Sequence, residues 1–255
     1  MGYVTFVSAG PGAVDLITVR GARALAAAQV VLFDALTDPG LRDLAPDAEW
    51  IDVGKRGFCN SAKQESINAM LVRQAQLHAR VVRLKGGDAS IFGRLEEELQ
   101  ALAEAGIECE VVPGVTAAIA AAAVAKRPLT RRGAGRSVSL TTAMTRDGDL
   151  QAARTADTEV FYMAGQQLGA LSRHLLEAGW PADTPVLVTS RAGCADALFS
   201  DHTVSLLGSA GLLHKGRPTV VTVGVGARPV VSNVHKTPAF SGLRTDMASV
   251  DSLSD

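Results

Sequence analysis

The stretch that decides the fold is Arg83-Leu84-Lys85-Gly86-Gly87-Asp88-Ala89-Ser90-Ile91-Phe92-Gly93-Arg94. It ends a strand predicted over 80–84 with two glycines, which permit a close approach of another backbone or a ligand. The Asp88 carboxylate can accept hydrogen bonds from an ammonium or hydroxyl group, and it disfavours a phosphate ligand because like charges repel in a desolvated cleft. The stretch therefore indicates a strand end that holds a zwitterionic or cationic ligand. A plain strand-end turn is the alternative.

Short apolar runs alternate with helical patterns on both sides of this stretch, which is typical of an α/β protein. Thr116 is a candidate N-cap for an alanine-rich helix whose small side chains suit packing against a sheet or another helix. The alternation in 197–206 predicts a hairpin around Ser200-Asp201. The predicted strands are 4–9, 30–33, 50–54, 80–84, 108–112, 137–142, 159–163, 185–189 and 219–224. The predicted helices are 18–28, a short one near 39–44, one capped by Ser61-Ala62-Lys63-Gln64, 95–105, 116–124 and 168–177.

A change in composition predicts two domains. Residues 126–136 combine Pro128, Gly133 and Gly135 with five basic residues, so the preceding helix cannot continue and the segment is predicted as a linker. We expect an N-terminal α/β domain over 1–125 and a second α/β domain over 137–228. The Ser-, Thr- and Asp-rich segment 229–255 is predicted to be a disordered tail.

The overall composition excludes several classes of protein. The 25 Lys and Arg residues nearly balance 26 Asp and Glu residues, and no aromatic residues interleave with the basic ones, so nucleic acid is not an expected partner. Cys59, Cys109 and Cys194 are far apart and in no metal-ligand spacing, which favours reduced thiols in a cytoplasmic protein and predicts no metal site. Neither a targeting segment nor a membrane span is expected.

Three further features are candidate parts of a site. Residues 8–12 follow a strand and precede a helix, although the loop lacks the dinucleotide fingerprint. Asp34 and Lys55 follow the next two strands and can meet at one edge of a parallel sheet, or form a plain surface ion pair. The basic residues form either a solvated loop or a site for a polycarboxylate, since guanidinium groups bind carboxylates bidentately. These basic residues are Lys126, Arg127, Arg131, Arg132 and Arg136, joined by Arg80, Arg83, Lys85 and Lys55.

Taken together, these segments resemble the tetrapyrrole methyltransferase family, in particular its members that methylate uroporphyrinogen III. The family-wide parts are Ala9-Gly10-Pro11-Gly12 and Pro113-Gly114-Val115-Thr116. The more specific parts are Val53-Gly54-Lys55-Arg56, Gln64-Glu65-Ser66-Ile67-Asn68 and the stretch from Arg83 to Arg94. Further matches are Val31 to Asp34, Pro128-Leu129-Thr130, Phe161-Tyr162-Met163, Pro185 to Ala192 and Val220 to Gly224.

The resemblance implies a homodimer of two-domain subunits, with the active site in the cleft between two α/β domains. It implies S-adenosylmethionine as methyl donor, S-adenosylhomocysteine as product, and C-methylation of uroporphyrinogen III at C2 and C7 to precorrin-2, for sirohaem or cobalamin synthesis. Asp34 and Lys55 match the family's proposed proton acceptor and donor. The matching cofactor contacts are Pro11, Gly86, Gly87, Asp88, Ile91, Thr116, Ala117, Met163 and Ala192.

The chain also departs from the family's usual residues. Ser8 stands in place of a glycine and Ala89 in place of a proline. Other departures lie near the expected substrate side, namely Leu95-Glu96, Arg132 to Gly135, Ala143 and Met144. They keep two alternatives open: a methyltransferase for another corrin precursor, and a protein that binds cofactor or tetrapyrrole without catalysis.

Overall fold

The structure is a computed structural model that describes residues 2–34, 37–54, 60–143 and 150–230, without the side chains of residues 60–63. Its first half forms a five-stranded parallel sheet in the order β3-β2-β4-β1-β5. Three of the strands carry mostly apolar residues, as expected of a parallel sheet that is covered on both faces. The strands are β1 (Tyr3–Ser8), β2 (Val30–Phe33), β3 (Glu49–Asp52), β4 (Arg80–Lys85) and β5 (Cys109–Val112).

Helices cover both faces of this first sheet. Helix α1 (Val19–Ala26) lies on one face, where the Thr18 hydroxyl caps it by accepting from the Gly21 amide at 3.0 Å. Helices α2 (Asn60–Leu77) and α3 (Leu95–Glu104) lie on the other face and pack on each other. Gly106 follows α3 with a φ of +66°, a left-handed conformation that glycine adopts without strain.

The second half forms a mixed five-stranded sheet in the order β6-β7-β10-β8-β9. Only β6 and β7 are parallel, and the other neighbours run antiparallel. Helix α5 (Leu168–Glu177) covers one face, and the short helix α6 (Gly211–His214) precedes the last strand. The strands are β6 (Val138–Thr142), β7 (Thr158–Tyr162), β8 (Pro185–Ser190), β9 (Leu198–Thr203) and β10 (Thr219–Gly224).

Helix α4 (Ala117–Val124) joins the two halves. Its buried residues Ala118, Ala120 and Ala121 pack against Val160 of β7 and Val220 of β10, so its small side chains allow a close approach to the second sheet. The helix begins after Thr116, as predicted, and so the end of the first sheet leads directly onto the face of the second. This placement puts the start of α4 between the two sheets.

The two α/β sheets with flanking helices confirm the predicted fold class. The predicted hairpin in 197–206 is wrong, because residues 198–203 form the single strand β9. The Ser61 side chain of the predicted capping box lies outside the described residues, and the Gln64 side chain bonds to Asn68 and Glu98. Residues 231–255 of the predicted tail lie outside the described residues. Within the described part of the chain, no helix has the length and apolar character needed to cross a bilayer.

Candidate active site

The glycine loops after β1 and β4 meet at the carboxyl edge of the first sheet. Gly87 donates its amide to the Gly10 carbonyl at 2.7 Å, and Gly10 donates to the Gly87 carbonyl at 3.1 Å. Both glycines have positive φ, +80° at Gly10 and +69° at Gly87. Two predicted loops therefore form one ledge of backbone, at the position where α/β proteins bind ligands.

Asp88 lies directly after this ledge and is held by backbone and side-chain donors. The Gly114 amide donates to Oδ2 at 2.8 Å and the Ser90 amide to Oδ1 at 2.9 Å, while the Ser90 hydroxyl also bonds Oδ1. Burial acts to raise the pKa of Asp88, but these hydrogen bonds outweigh it and hold the pKa below its ordinary value. The carboxylate is therefore ionised at neutral pH and can attract a cationic ligand.

The start of α4 is tied to the second sheet by the hydroxyl of Tyr162, the last residue of β7. Thr116 Oγ1 and the Tyr162 hydroxyl share a hydrogen bond of 2.6 Å, and the Ala118 amide donates to the same hydroxyl at 3.3 Å. Thr116 is the predicted N-cap, but its side chain makes no capping hydrogen bond, because it bonds Tyr162 instead. Burial raises the pKa of Tyr162, so its hydroxyl stays protonated. The Phe92 ring packs edge-on against Tyr162, with 5.0 Å between centroids.

Several non-glycine residues at this edge have left-handed backbone conformations. Phe92, Arg94, Met163 and Arg191 have φ between +50° and +57°, and each follows the carboxyl end of β4, β7 or β8. Such conformations are costly for bulky residues and cluster at functional sites. Met163 is 56% exposed in spite of its apolar side chain. Among these residues, Phe92 and Met163 present exposed apolar side chains at this edge.

A turn after β8 closes the site against the first glycine loop. The Ala13 amide donates to the Gly193 carbonyl at 2.9 Å. A side chain on Gly12 would place its Cβ 2.6 Å from Cys194 Sγ, so only glycine fits there. The Pro11 ring lies close to Gly193, and Ala192 precedes it in the buried contact with α4. At this turn the two halves thus meet through backbone groups.

The predicted catalytic residue Asp34 follows β2, the hydrogen-bonded neighbour of β4. Its side chain is 31% exposed, and Oδ1 accepts from Arg83 Nη2 at 2.7 Å. Arg83 is 2% exposed and also pairs with the fully buried Glu98, whose Oε2 accepts from Lys85 Nζ at 2.9 Å. Lys55, the predicted partner of Asp34, lies outside the described residues. Among the described residues Asp34 is therefore anchored by Arg83.

Three of the basic residues predicted to face either solvent or a polycarboxylate do neither. Arg83, Lys85 and Arg127 are buried and bind protein groups. Arg127 pairs with Asp201 and donates to the Ala227 carbonyl at 2.6 Å. The predicted solvated loop and the predicted polycarboxylate site are therefore both wrong for these three residues. Charges that are removed from water need fixed partners within the protein.

The structure brings most of the predicted cofactor residues to one cleft, between the carboxyl edge of the first sheet and the ends of β7 and β8. Gly87, Asp88, Thr116 and Met163 lie around it as described above, and the Ile91 amide closes the turn by donating to the Asp88 carbonyl at 3.1 Å. Sequence reasoning missed Tyr162 and Phe92 as parts of the cleft, as well as Glu98 behind Asp34. Their partners are distant in the chain, so no local pattern identified them.

The groups around the cleft suit a sulfonium compound that carries an amino-acid group. The ionised Asp88 carboxylate beside two glycine turns, with the exposed apolar side chains of Phe92 and Met163, suits a cationic, partly apolar ligand better than a polyphosphate. Within the described ranges, no group of His, Cys, Asp or Glu side chains is arranged to hold a metal ion. The cleft therefore fits S-adenosylmethionine.

Two surface cavities lie outside this cleft. One of about 680 Å³ lies in the second half, between residues that include Arg154, Trp180 and Arg228, and contains none of the predicted site residues. The other, of about 750 Å³, runs along α3 and borders the cleft at Ser90 and Phe92. Only the second is close enough to the cleft to extend it.

Comparison with known proteins agrees with this geometry. Residues 3–206 match the family of tetrapyrrole (corrin/porphyrin) methylases. The chain is 39% identical to a uroporphyrinogen-III C-methyltransferase of Pseudomonas aeruginosa, over 91% of this chain and 96% of the relative. It is 43% identical to a siroheme synthase of Yersinia pseudotuberculosis over 95% of this chain, but spans only 51% of that longer protein.

Solved structures are similar over most of the chain. A uroporphyrin-III C-methyltransferase of Thermus thermophilus, complexed with S-adenosylhomocysteine, superposes with a TM-score of 0.77 at 33% identity, covering 88% of this chain and 97% of that one. A cobalt precorrin-4 methyltransferase superposes with a TM-score of 0.78 at 28% identity, covering 89% and 96%. The sequence match, the fold and the cleft agree: the chain belongs to the tetrapyrrole (corrin/porphyrin) methylase family.

Proposed function

We propose that the protein transfers methyl groups from S-adenosylmethionine to C2 and then C7 of uroporphyrinogen III and so forms precorrin-2. The observation that carries the proposal is the position of Asp34 beside the cleft of Asp88, since β2 and β4 are adjacent strands of one sheet. The high similarity to a uroporphyrinogen-III C-methyltransferase over nearly the full length of both chains supports the choice of acceptor.

The chain's own residues supply binding and orientation. The ledge of Gly10 and Gly87 and the ionised Asp88 would hold the amino-acid part of the donor, while Thr116 and Ala117 at the start of α4 and Met163 would border its other side. Pro11, Gly86, Ile91 and Ala192 complete the proposed contacts. S-adenosylmethionine supplies an electrophilic methyl group on a sulfonium. Holding the acceptor carbon in line with that methyl group provides much of the rate enhancement.

Asp34 is the proposed base. Methyl transfer leaves a cationic tetrapyrrole, which must lose a proton to become neutral again, and a carboxylate at the edge of the cleft can accept that proton. Lys55 is the proposed proton donor, by resemblance alone. Arg83 anchors one oxygen of Asp34. Asp34 therefore stays at the cleft rather than turning to solvent.

The finer features of the proposal follow the resemblance. We propose a homodimer in the cytoplasm that needs no metal and feeds sirohaem or cobalamin synthesis, with residues 1–125 and 137–228 as its domains. Cys109 and Cys194 are free thiols, which agrees with a reducing compartment. Light scattering of the purified protein tests the dimer, and activity in the presence of a chelator tests the absence of a metal.

A panel of acceptors tests the function against its alternatives. The purified protein is incubated with S-adenosylmethionine and either uroporphyrinogen III or a later corrin precursor. The product masses are then measured by mass spectrometry. Methylation of uroporphyrinogen III supports the proposal. Methylation of a later precursor alone would support the second acceptor, which the likeness to the precorrin-4 enzyme favours. Tight cofactor binding without turnover on any acceptor would indicate a binding protein.

A further inference from the structure

The Arg83 guanidinium has five N–H donors, and each has an acceptor. Nε donates to Glu98 Oε1 at 3.2 Å, and Nη1 donates to the Leu32 and Leu84 carbonyls at 3.4 Å and 3.1 Å. Nη2 donates to Glu98 Oε1 at 3.1 Å and to Asp34 Oδ1 at 2.7 Å. Four of the five bonds lie within the buried interior, so the guanidinium is fixed in place and the fifth bond fixes Asp34.

Glu98 is the group that immobilises this arginine. It is fully buried in the first turn of α3, and both of its oxygens are engaged. Oε1 accepts from Arg83 and from Gln64 Nε2, at 3.3 Å for the latter, and Oε2 accepts from Lys85 Nζ. Two buried cations thus share one buried anion, and the second negative charge of the cluster is Asp34.

Of the four charged side chains in this cluster, Asp34 is the one that reaches the surface. Arg83, Lys85 and Glu98 are at most 3% exposed, whereas Asp34 is 31% exposed. Among the described residues, removing the charge of Glu98 would leave Asp34 as the remaining negative charge that acts on both cations. We expect the cations to draw its carboxylate inward, because an uncompensated buried charge is strongly unfavourable.

We propose that Glu98 is a positioning residue: it acts through Arg83 to hold the Asp34 carboxylate in the orientation that accepts a proton from the methylated tetrapyrrole. The proposal rests on the proposed function and assigns Glu98 no contact with donor or acceptor. A misplacement of a reacting group by about 1 Å can lower turnover on the order of 100-fold. The effect should therefore appear in kcat and leave donor binding unchanged.

The decisive variant is Glu98→Gln, with Glu159→Gln as the matched control. Glu159 is also a fully buried carboxylate, but it lies in β7 and accepts hydrogen bonds from Thr155 and Ala156, away from Asp34. We expect Glu98→Gln to lower kcat on uroporphyrinogen III roughly 10- to 100-fold with an unchanged Kd for S-adenosylhomocysteine. Glu159→Gln should lower stability without that loss of kcat.

A double-mutant cycle with Asp34→Ala separates positioning from a structural role. If Glu98 acts through Asp34, Glu98→Gln should have no further effect on kcat in the Asp34→Ala background. Additive losses would overturn the proposal. If Glu98→Gln does not fold, Glu98→Asp replaces it, since the shorter carboxylate keeps the charge but retracts it from Arg83 and should also lower kcat.

The wild-type protein in the same assay separates the two levels of inference. No methylation of uroporphyrinogen III by the wild type would overturn the proposed function, and the role of Glu98 with it. An active wild type whose Glu98→Gln and Glu98→Asp variants keep full kcat would overturn the role of Glu98 alone.

Discussion

Ser8 and Ala89 are joined by a buried hydrogen bond, in which the Ala89 amide donates to Ser8 Oγ at 3.0 Å. The resemblance in sequence implies a glycine at the first position and a proline at the second. A proline has no amide hydrogen to donate, and a glycine has no hydroxyl to accept one. The two residues are therefore complementary, since Ala89 supplies the donor and Ser8 the acceptor of one hydrogen bond.

Substitutions at these two positions should be coupled. Ser8→Gly leaves a buried amide without a partner, which costs about 1–3 kcal/mol of unfolding free energy. In an Ala89→Pro background no amide hydrogen is left without a partner, so Ser8→Gly should lower the unfolding free energy by less. Urea denaturation of the two single variants and the double variant measures the coupling. Strictly additive losses would show that the hydrogen bond contributes nothing.

Tyr162→Phe should weaken cofactor binding. It removes the hydroxyl that bonds Thr116 and Ala118 and so releases the start of α4 from the second sheet. A net loss of about 1 kcal/mol corresponds to roughly fivefold weaker binding of S-adenosylhomocysteine by calorimetry. The chain's other tyrosine provides the control: Tyr3→Phe, at the start of β1, should leave binding unchanged. Equal affinities in both variants would contradict the role of Tyr162.

Gly12→Ala should open the contact between the two halves of the chain. The added Cβ would lie 2.6 Å from Cys194 Sγ and 2.7 Å from the Gly193 carbonyl carbon, so the turn after β8 must move away. We expect a loss of about 1–3 kcal/mol in unfolding free energy, together with weaker cofactor binding. Gly211→Ala is the control, because an added Cβ meets nothing within 4 Å there. If Gly12→Ala keeps the stability and cofactor affinity of the wild type, the loop at Gly12 and the turn after β8 are not closely packed.

The contribution of Asp88 to stability should depend on pH. Its pKa lies below the ordinary value of 3.8, so its hydrogen bonds stabilise the fold above that pH and the stabilisation is lost as the pH falls through the lowered pKa. Asp88→Asn should therefore unfold at a lower temperature than the wild type at pH near 6, and the gap should shrink as the pH approaches about 3. Melting temperatures across this range measure it. A difference in melting temperature that does not change with pH would contradict the lowered pKa of Asp88.

Local patterns predicted the elements that local chemistry determines. The alternation of apolar runs predicted the first sheet, and the α5 prediction of 168–177 matches the structure. The glycine turns after β1 and β4 were identifiable because strand ends in an α/β protein share one edge. The hairpin prediction failed because β9 pairs along its whole length with β8, a tertiary contact that overrides a weak alternation.

The buried charge cluster could not be predicted from the sequence. Arg83 and Lys85 alternate with apolar residues of β4. Because buried cations are rare without partners, the sequence predicts a solvated loop or a polycarboxylate site for them. Their partner Glu98 lies in α3, on a helix whose packing depends on the whole fold. The Phe92 to Tyr162 contact joins two halves of the chain and likewise has no local signal.

The most direct test of the account is the mass of the product formed from uroporphyrinogen III. Purified protein is supplied with S-adenosylmethionine carrying an isotopically labelled methyl group, and the freshly reduced tetrapyrrole is analysed after turnover. We expect a product that carries two labelled methyl groups, and an Asp34→Ala variant that forms it much more slowly while binding the donor normally. An unmodified tetrapyrrole, from a wild-type protein that binds the donor, would contradict it.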